Sequence, residues 1–179
     1  IDRAKFPRDK VCAGWITPSV VEELQLDVDD YRSSRVFQAI TSFRTACLGG
    51  PEITTDYGRP VSFGIRRCEF DDYLLRRCGA AVELGEPLTS LERNGAGWVV
   101  NGCLQTPLVI GAGGHFCPVA RWLGAERQAA DVVIAAQEIE FEMDPRQAAE
   151  CRVAPETPEL YFCRDLEGYV REKTGQVRY

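Results

Sequence analysis

The sequence reads Leu108-Val109-Ile110-Gly111-Ala112-Gly113-Gly114 where a short apolar run passes directly into a glycine-rich turn. Pro118 then suits the first position of a helix, and Gly124 would end it. Glycines let a ligand approach the backbone, and free amides at a helix start attract anionic oxygens. We therefore expect a strand buried on both faces, a turn and a helix that together hold a phosphate-bearing cofactor. The alternative is an ordinary tight turn between a strand and a helix.

Hydrophobic spacing in the rest of the chain predicts further strands and helices. Asn-Gly dipeptides at 94–95 and 101–102 tolerate the positive φ of hairpin turns, so 82–107 is predicted to form an antiparallel meander. Other strands are predicted at 36–46, 61–65, 132–134, 139–143 and 160–163, and helices at 17–26, 67–79, 118–124 and 147–150. Residues 36–46 also fit helical spacing, and 27–31 is predicted to be a polar loop. The expected fold class is α/β.

Composition and charge exclude several classes of function. The chain has 179 residues, of which 45% are hydrophobic, and this is enough to bury one sizeable core. Its formal net charge of -6 provides no basic stripe to neutralise phosphates, so nucleic acid is not an expected partner. No apolar stretch approaches the roughly 20 residues that cross a bilayer. We therefore predict no transmembrane segment and a cytoplasmic location.

The cysteines argue against a disulfide scaffold and against a metal site. All eight are scattered along the chain and none forms a Cys-x-x-Cys pair, which is typical of reduced intracellular thiols. Because His115 is the single histidine of the sequence, a metal site would need several thiolates to converge from distant positions. We expect no bound metal.

Two other stretches carry candidate functional side chains. Cys12 lies in the loop Lys10-Val11-Cys12-Ala13-Gly14, where the lysine favours a thiolate and the glycine permits close approach of a planar ligand. An inert buried thiol is the alternative. Arg66 and Arg67 precede a predicted helix and could reach an anion, or they form an ordinary solvated helix start.

Four segments in order resemble motifs of the FAD-dependent oxidoreductases of the geranylgeranyl reductase type, which are similar in fold to p-hydroxybenzoate hydroxylase. They are 1–7, 10–14, 64–71 and 109–121. The first resembles the end of the second Rossmann strand, and the second resembles the loop that follows it along the flavin. The third contains Arg67, two further residues and then Phe70-Asp71, and it is similar to a family motif in which an arginine precedes Phe-Asp by two residues at the start of a helix. The fourth resembles the second flavin-contacting motif, and 160–169 resembles a strand and turn of the substrate-side sheet.

This resemblance implies roles for particular residues. The cofactor-binding candidates are Asp2, Cys12, Gly14, Arg67, Gly111, Ala112, Gly113 and Gly114. Asp2 would accept hydrogen bonds from the adenosine ribose, and Arg67 would lie against the ribityl or phosphate region of FAD. The glycine turn would bring amides to the ribityl chain and the pyrophosphate. Cys12 and Gly14 would lie beside the isoalloxazine ring, with Cys12 as the candidate catalytic thiol.

Tyr161 and Phe162 are the candidate substrate-binding residues, because aromatic side chains can line a pocket for an apolar substrate. Aromatic residues on a strand are also common in an ordinary core. The resemblance implies a partial Rossmann-like FAD-binding domain at 1–130, which includes the meander, and the start of a substrate-domain sheet at 131–179. Residues 35–65 are a further candidate part of that sheet.

The chain resembles an internal piece of a longer enzyme, and it departs from the family at three places. Relatives often carry an acidic residue at the position of Gly113, and a lost hydrogen bond there would cost about 0.5–1.5 kcal/mol. The family's glycine-rich first turn would precede Ile1, and Val170–Tyr179 no longer resembles the family. We expect this chain alone to bind FAD poorly and to be inactive.

The activity that the resemblance implies is hydride transfer through FAD to or from an unsaturated apolar substrate, with NAD(P)H or another electron donor. An FAD-dependent monooxygenase or halogenase is an alternative within the same fold. A non-catalytic remnant or binding module without a working flavin site is an alternative from another class. A dehydrogenase that uses nicotinamide alone is the third.

Overall fold

The structure is a computed structural model, and it describes residues 1–125 and 138–162. Within these ranges the chain is a mixed α/β fold of small sheets and short helices, which confirms the expected class at this coarse level. The chain divides into two compact units. Of the described residues, the first unit holds 1–10 and 71–125, and the second holds 11–70 and 138–162.

The elements are short, and their order follows the sequence pattern. The helices are α1 Pro18–Glu23, α2 Val28–Arg32, α3 Arg67–Arg77, α4 Pro118–Trp122 and α5 Pro145–Glu150, with a 3-10 turn at Gly114–Phe116. The strands are β1 Trp15–Ile16, β2 Phe37–Ile40, β3 Ser42–Cys47, β4 Glu52–Asp56, β5 Ser62–Ile65, β6 Leu91–Asn94, β7 Gly97–Val100, β8 Leu104–Thr106 and β9 Glu159–Phe162. No helix in 1–125 or 138–162 combines the length and apolar character that a membrane span requires.

The second unit contains two three-stranded sheets. In one sheet the order is β1-β5-β2 and all pairing is antiparallel. In the other the order is β4-β3-β9, where β3 pairs antiparallel with β4 and parallel with β9. The core of the second unit contains Ile40 and an aromatic group around Tyr31. The Tyr31 ring meets Phe37 and Phe70 edge to face, each at 5.9 Å between ring centroids. Residues 35–65 therefore belong to the same unit as β9.

The helix α2 corrects the prediction of a polar loop at 27–31. The Asp27 side chain accepts a hydrogen bond from the Asp30 amide at 2.9 Å and caps the helix. Tyr31 is fully buried and anchors the short helix to the core. A five-residue helix has too few turns to show apolar periodicity, so the sequence pattern missed it.

Strand predictions in the second unit are mostly confirmed. The stretch 36–46 forms strands, as expected, although it is divided into β2 and β3. The glycines before Pro51 end β3, and β5 and β9 lie close to their predicted bounds. The strand β4 was not predicted, because all its residues are exposed and it therefore has no alternation of apolar and polar residues.

The meander of the first unit is confirmed, but it is shorter than predicted. Its strand order is β6-β7-β8, and Asn101 and Gly102 adopt the positive φ that the Asn-Gly dipeptide predicted. Residues 82–90 lie outside it. Instead Leu84 forms a parallel bridge with Asp2, which Glu83 and Glu86 support with backbone hydrogen bonds to Asp2 of 2.9 and 3.0 Å.

Two predicted strands are wrong. The run 108–110 is not a strand, and Leu108 and Ile110 are 68% and 78% exposed rather than buried. A strand buried on both faces needs a neighbour on each side, and no described strand pairs with this run. Residues 139–143 alternate as predicted but form no strand.

The remaining predictions involve helices and residues outside the described ranges. The helix predicted at 147–150 is α5, which Asp144 and Gln147 close with a capping box. The helices α1, α3 and α4 are also confirmed, although the Thr17 side chain does not cap α1. The predicted strand 132–134 and Cys163 lie outside the described residues.

Candidate functional site

The clearest contact between candidate residues joins Cys12 to Arg67. The guanidinium Nη1 of Arg67 donates toward the Sγ atom of Cys12 at 3.7 Å, and both side chains are half-buried. Arg67 is the first residue of α3, and its strand-side neighbour Ile65 ends β5. The fold therefore brings together two candidate residues that are 55 positions apart in the chain.

The backbone of Gly14 holds the Cys12 loop against β5. Its carbonyl oxygen accepts a hydrogen bond from the Ile65 amide at 2.7 Å, and its φ is +73°. A Cβ atom at this position would lie 3.2 Å from the Ile65 carbonyl oxygen. Positive φ and close packing both favour glycine here. The conformation of the chain explains Gly14 without a ligand.

A distant segment contributes two glutamates that sequence reasoning missed. Glu138 Oε2 accepts a hydrogen bond from the Cys12 amide at 2.7 Å. Glu140 Oε1 accepts one from Arg66 Nε at 3.0 Å, and Arg66 also pairs with Glu69 at 3.0 Å. The hydrogen bond and the charge of Glu140 raise the pKa of Arg66 above its usual range. The alternation of glutamate with apolar residues at 138–143 was the available signal.

Asp2 lies in the first unit at its parallel bridge with Leu84. One carboxylate oxygen, Oδ1, accepts a hydrogen bond from the Ala4 amide at 2.8 Å. The side chain is half-buried, so the carboxylate is held by the turn that follows the bridge. Asp2 is therefore an acidic residue at a single parallel bridge.

The glycine turn in the first unit packs closely on its own chain. A Cβ atom at Gly111 would lie 3.0 Å from Val119 Cβ and 3.1 Å from Cys117 Sγ. A Cβ atom at Gly113 would lie 3.1 Å from Cys117 Cα. Gly114 has a φ of +72° and open space around it, and Ala112 is exposed. Two of the glycines are therefore explained by packing against the start of α4.

Cys117 was not a candidate from the sequence, yet it occupies the centre of this turn. Its side chain is 6% exposed. The backbone N–H of Ala120, with those of Gly113 and Val119, lowers the pKa of the Cys117 thiol. Amides that were expected to receive a phosphate are thus directed at the chain's own sulfur.

Tyr161 and Phe162 are successive residues of β9 and point to opposite faces of its sheet. The Tyr161 hydroxyl is 2.9 Å from Glu52 Oε1 and 3.1 Å from Glu159 Oε2, so its one proton can be donated to either carboxylate. The hydrogen bond to Glu52 is the main reason that the pKa of Tyr161 is raised to about 12. Phe162 is 59% exposed. The two rings therefore cannot line one pocket together.

The candidates fall into the two units as follows. The first unit holds Asp2, Gly111, Ala112, Gly113 and Gly114, and the second holds Cys12, Gly14, Arg67, Tyr161 and Phe162. In the part of the chain that the structure describes, no group of three or more histidine, cysteine or acidic residues is arranged to hold a metal ion.

Comparison with known proteins gives no assignment. No model of a protein family, no curated protein and no solved structure matches the chain.

Proposed function

We propose that the chain is a piece of an FAD-dependent oxidoreductase, cytoplasmic in location, that passes hydride through flavin to or from an unsaturated apolar substrate. The observation that carries this proposal is the contact between Cys12 and Arg67. These residues come from two separate segments that resemble flavin-contacting motifs. Their contact is the outcome expected if both segments surround one ligand.

The first unit gives a second, weaker support. Asp2 forms a single parallel bridge with Leu84. In dinucleotide-binding folds a carboxylate at the end of a parallel strand accepts hydrogen bonds from a ribose. Oδ1 of Asp2 is bonded to the Ala4 amide, so Oδ2 is the atom that would accept the ribose hydroxyl. Holding one oxygen orients the other.

The residues present fit parts of a flavin nucleotide. The guanidinium of Arg67 is a planar donor suited to a phosphate or to ribityl oxygens. FAD would supply the hydride chemistry, with NAD(P)H or another donor as the source of electrons. Cys12 would hold a proton at Sγ beside the reacting atoms.

The glycine turn favours a second candidate function, a binding module of the same fold without a working flavin site. Gly111 and Gly113 pack on Cys117, and several amides nearby point to its sulfur. A turn that is satisfied by its own chain has fewer donors for a phosphate. Monooxygenase and halogenase chemistry remain alternatives for a chain that does bind flavin.

The test is a titration of FAD with purified protein, followed by the fluorescence of the isoalloxazine ring. We expect weak but saturable quenching of the flavin fluorescence by the chain. Arg67→Met should weaken the binding, whereas Arg93→Met, on the meander strand β6, should not.

Two outcomes would contradict the proposal. Free-flavin fluorescence at all protein concentrations would favour the binding module. Saturable binding of a pyridine nucleotide without any binding of flavin would favour a dehydrogenase that uses nicotinamide alone.

A further inference from the structure

We propose that Glu138 is a positioning residue that fixes the Cys12 loop beside Arg67, an inference that gives the site of the proposed function a component from the far part of the chain. The carboxylate Oε2 of Glu138 accepts the Cys12 amide proton at 2.7 Å, across 126 positions of sequence. Hydrogen bonds to a carboxylate are shorter and stronger than those between neutral groups. The contact therefore restrains the backbone of the residue whose sulfur faces Arg67.

The same segment is fastened at a second point. Glu140 accepts a hydrogen bond from Arg66 at 3.0 Å, and Arg66 immediately precedes Arg67 in the chain. Arg66 is in turn paired with Glu69 in the first turn of α3. One segment thus contacts the backbone of Cys12 and the side chain of Arg66, which is the neighbour of Arg67 in the chain.

The side chains between the glutamates show which contacts do the holding. Ile139 is 85% exposed and Phe141 is 65% exposed, so apolar burial does not fix this segment. Glu138 and Glu140 contact the Cys12 loop and Arg66, whereas Ile139 and Phe141 are exposed to solvent. The carboxylates are therefore the attachment.

The consequence is a specific effect on the thiol. Without an acceptor for the Cys12 amide, the loop between Lys10 and Gly14 loses one of the two backbone hydrogen bonds described above. The bond that remains joins the Gly14 carbonyl oxygen to the Ile65 amide. The Cys12 sulfur should then leave Arg67 more often and become more accessible to solvent reagents. Because Cys12 is half-buried in the intact loop, we expect this gain in access to exceed the loss of a neighbouring cation that favours the thiolate. Thiol reactivity at Cys12 consequently reports the contact and does not require flavin.

The experiment measures the rate at which iodoacetamide alkylates each cysteine of the full chain, with the modified peptides identified by mass spectrometry. We expect Glu138→Ala to accelerate alkylation of Cys12 about fivefold, the effect of losing one hydrogen bond. Glu138→Gln keeps an acceptor oxygen without the charge and should accelerate it only about twofold. Glu142→Ala is the matched control, because Glu142 is an exposed glutamate of the same segment.

Two results would overturn the inference. One is an unchanged rate at Cys12 in Glu138→Ala. The other is an equal acceleration of Cys12 and of Cys68, which is half-buried in the same unit, since this would mean that Glu138 stabilises the whole unit rather than the loop. Because no flavin is added, failure of the FAD titration would leave this result interpretable, and failure here would leave the titration unaffected.

Discussion

Cys117 is the residue whose environment departs most from expectation. It is buried in the glycine turn, and the N–H groups of Ala120, Gly113 and Val119 are directed at its sulfur. These donors stabilise a thiolate more than a thiol, so the pKa of Cys117 is lowered in the folded chain. The turn is therefore coupled to pH through a group that belongs to the protein itself.

This coupling predicts a pH-dependent stability. A group with a lowered folded-state pKa contributes stability that is present above the unfolded pKa and is lost as pH falls through the folded value. The free energy of unfolding of the wild type, relative to Cys117→Ala, should therefore rise as pH is increased from 7 toward 9. Urea denaturation at several pH values measures this difference. Cys103→Ala, at an exposed cysteine of the same unit, is the control, and parallel pH profiles for both variants would contradict the prediction.

Among the elements, β9 has the most distinctive attachment. It pairs in parallel with β3, and Ala46 of β3 lies in register with both Tyr161 on one side and Glu52 on the other. The Tyr161 hydroxyl reaches across this position to Glu52. Only a small side chain leaves room for that crossing, and Ala46 is buried beneath it. Three strands are thus joined by one phenol.

The hydroxyl of Tyr161 should lose its proton at a higher pH than that of an ordinary tyrosine. The hydrogen bond to Glu52, with burial and Glu159, raises the pKa of Tyr161 to about 12, because a phenolate would face two carboxylates. Ultraviolet absorbance near 295 nm, a wavelength at which phenolate absorbs, should show that Tyr161→Phe removes a component with a midpoint near pH 12. Glu52→Gln should shift this component to lower pH. Loss of a component near the ordinary phenol value of about 10 in Tyr161→Phe would contradict the geometry.

The meander depends on a small residue, Gly97, just as the contact between Tyr161 and Glu52 depends on Ala46. A Cβ atom at Gly97, the first residue of β7, would lie 2.9 Å from the carbonyl oxygen of Thr106 in β8. Gly97→Ala should therefore separate these strands and lower the free energy of unfolding by about 1–3 kcal/mol, the usual cost of overpacking. Gly64→Ala is the control.

At Gly64, a strand glycine, an added Cβ would meet Gln38 Cβ at 3.5 Å, which is ordinary contact. This variant should change stability by less than about 1 kcal/mol. Urea denaturation compares the two. Equal losses would mean that β7 and β8 adjust without strain.

At the scale of the whole molecule, local signals were predicted well and long-range contacts were not. The Asn-Gly turns, the proline at the start of α4 and the helical spacing of α3 each act within a few residues, so the sequence pattern contains them. The predicted burial of 108–110 would require a strand on each side of this run. Among the described residues no strand pairs with it, so this prediction failed. The contact of Glu138 with Cys12 has no local signature, because it joins residues 126 positions apart.

The candidate site divides in the same way. Cys12 and Arg67 were proposed as candidates from the sequence, and their contact is a consequence of the fold. Cys117 was missed because the sequence does not distinguish a thiol that accepts hydrogen bonds from backbone amides from an inert buried thiol. The opposite orientation of Tyr161 and Phe162 follows from strand geometry once β9 is assigned, so it could have been predicted.

Each compact unit is assembled from two separated stretches of chain, and this determines when it can close during synthesis. A ribosome releases the Cys12 loop and α3 long before it adds the segment that begins at Glu138. Until then the loop has no carboxylate and β3 has no parallel neighbour. Closure must therefore wait for distant residues, which is the kinetic cost of a fold with long-range contacts. The nascent chain would expose Cys12 to the solvent throughout that interval.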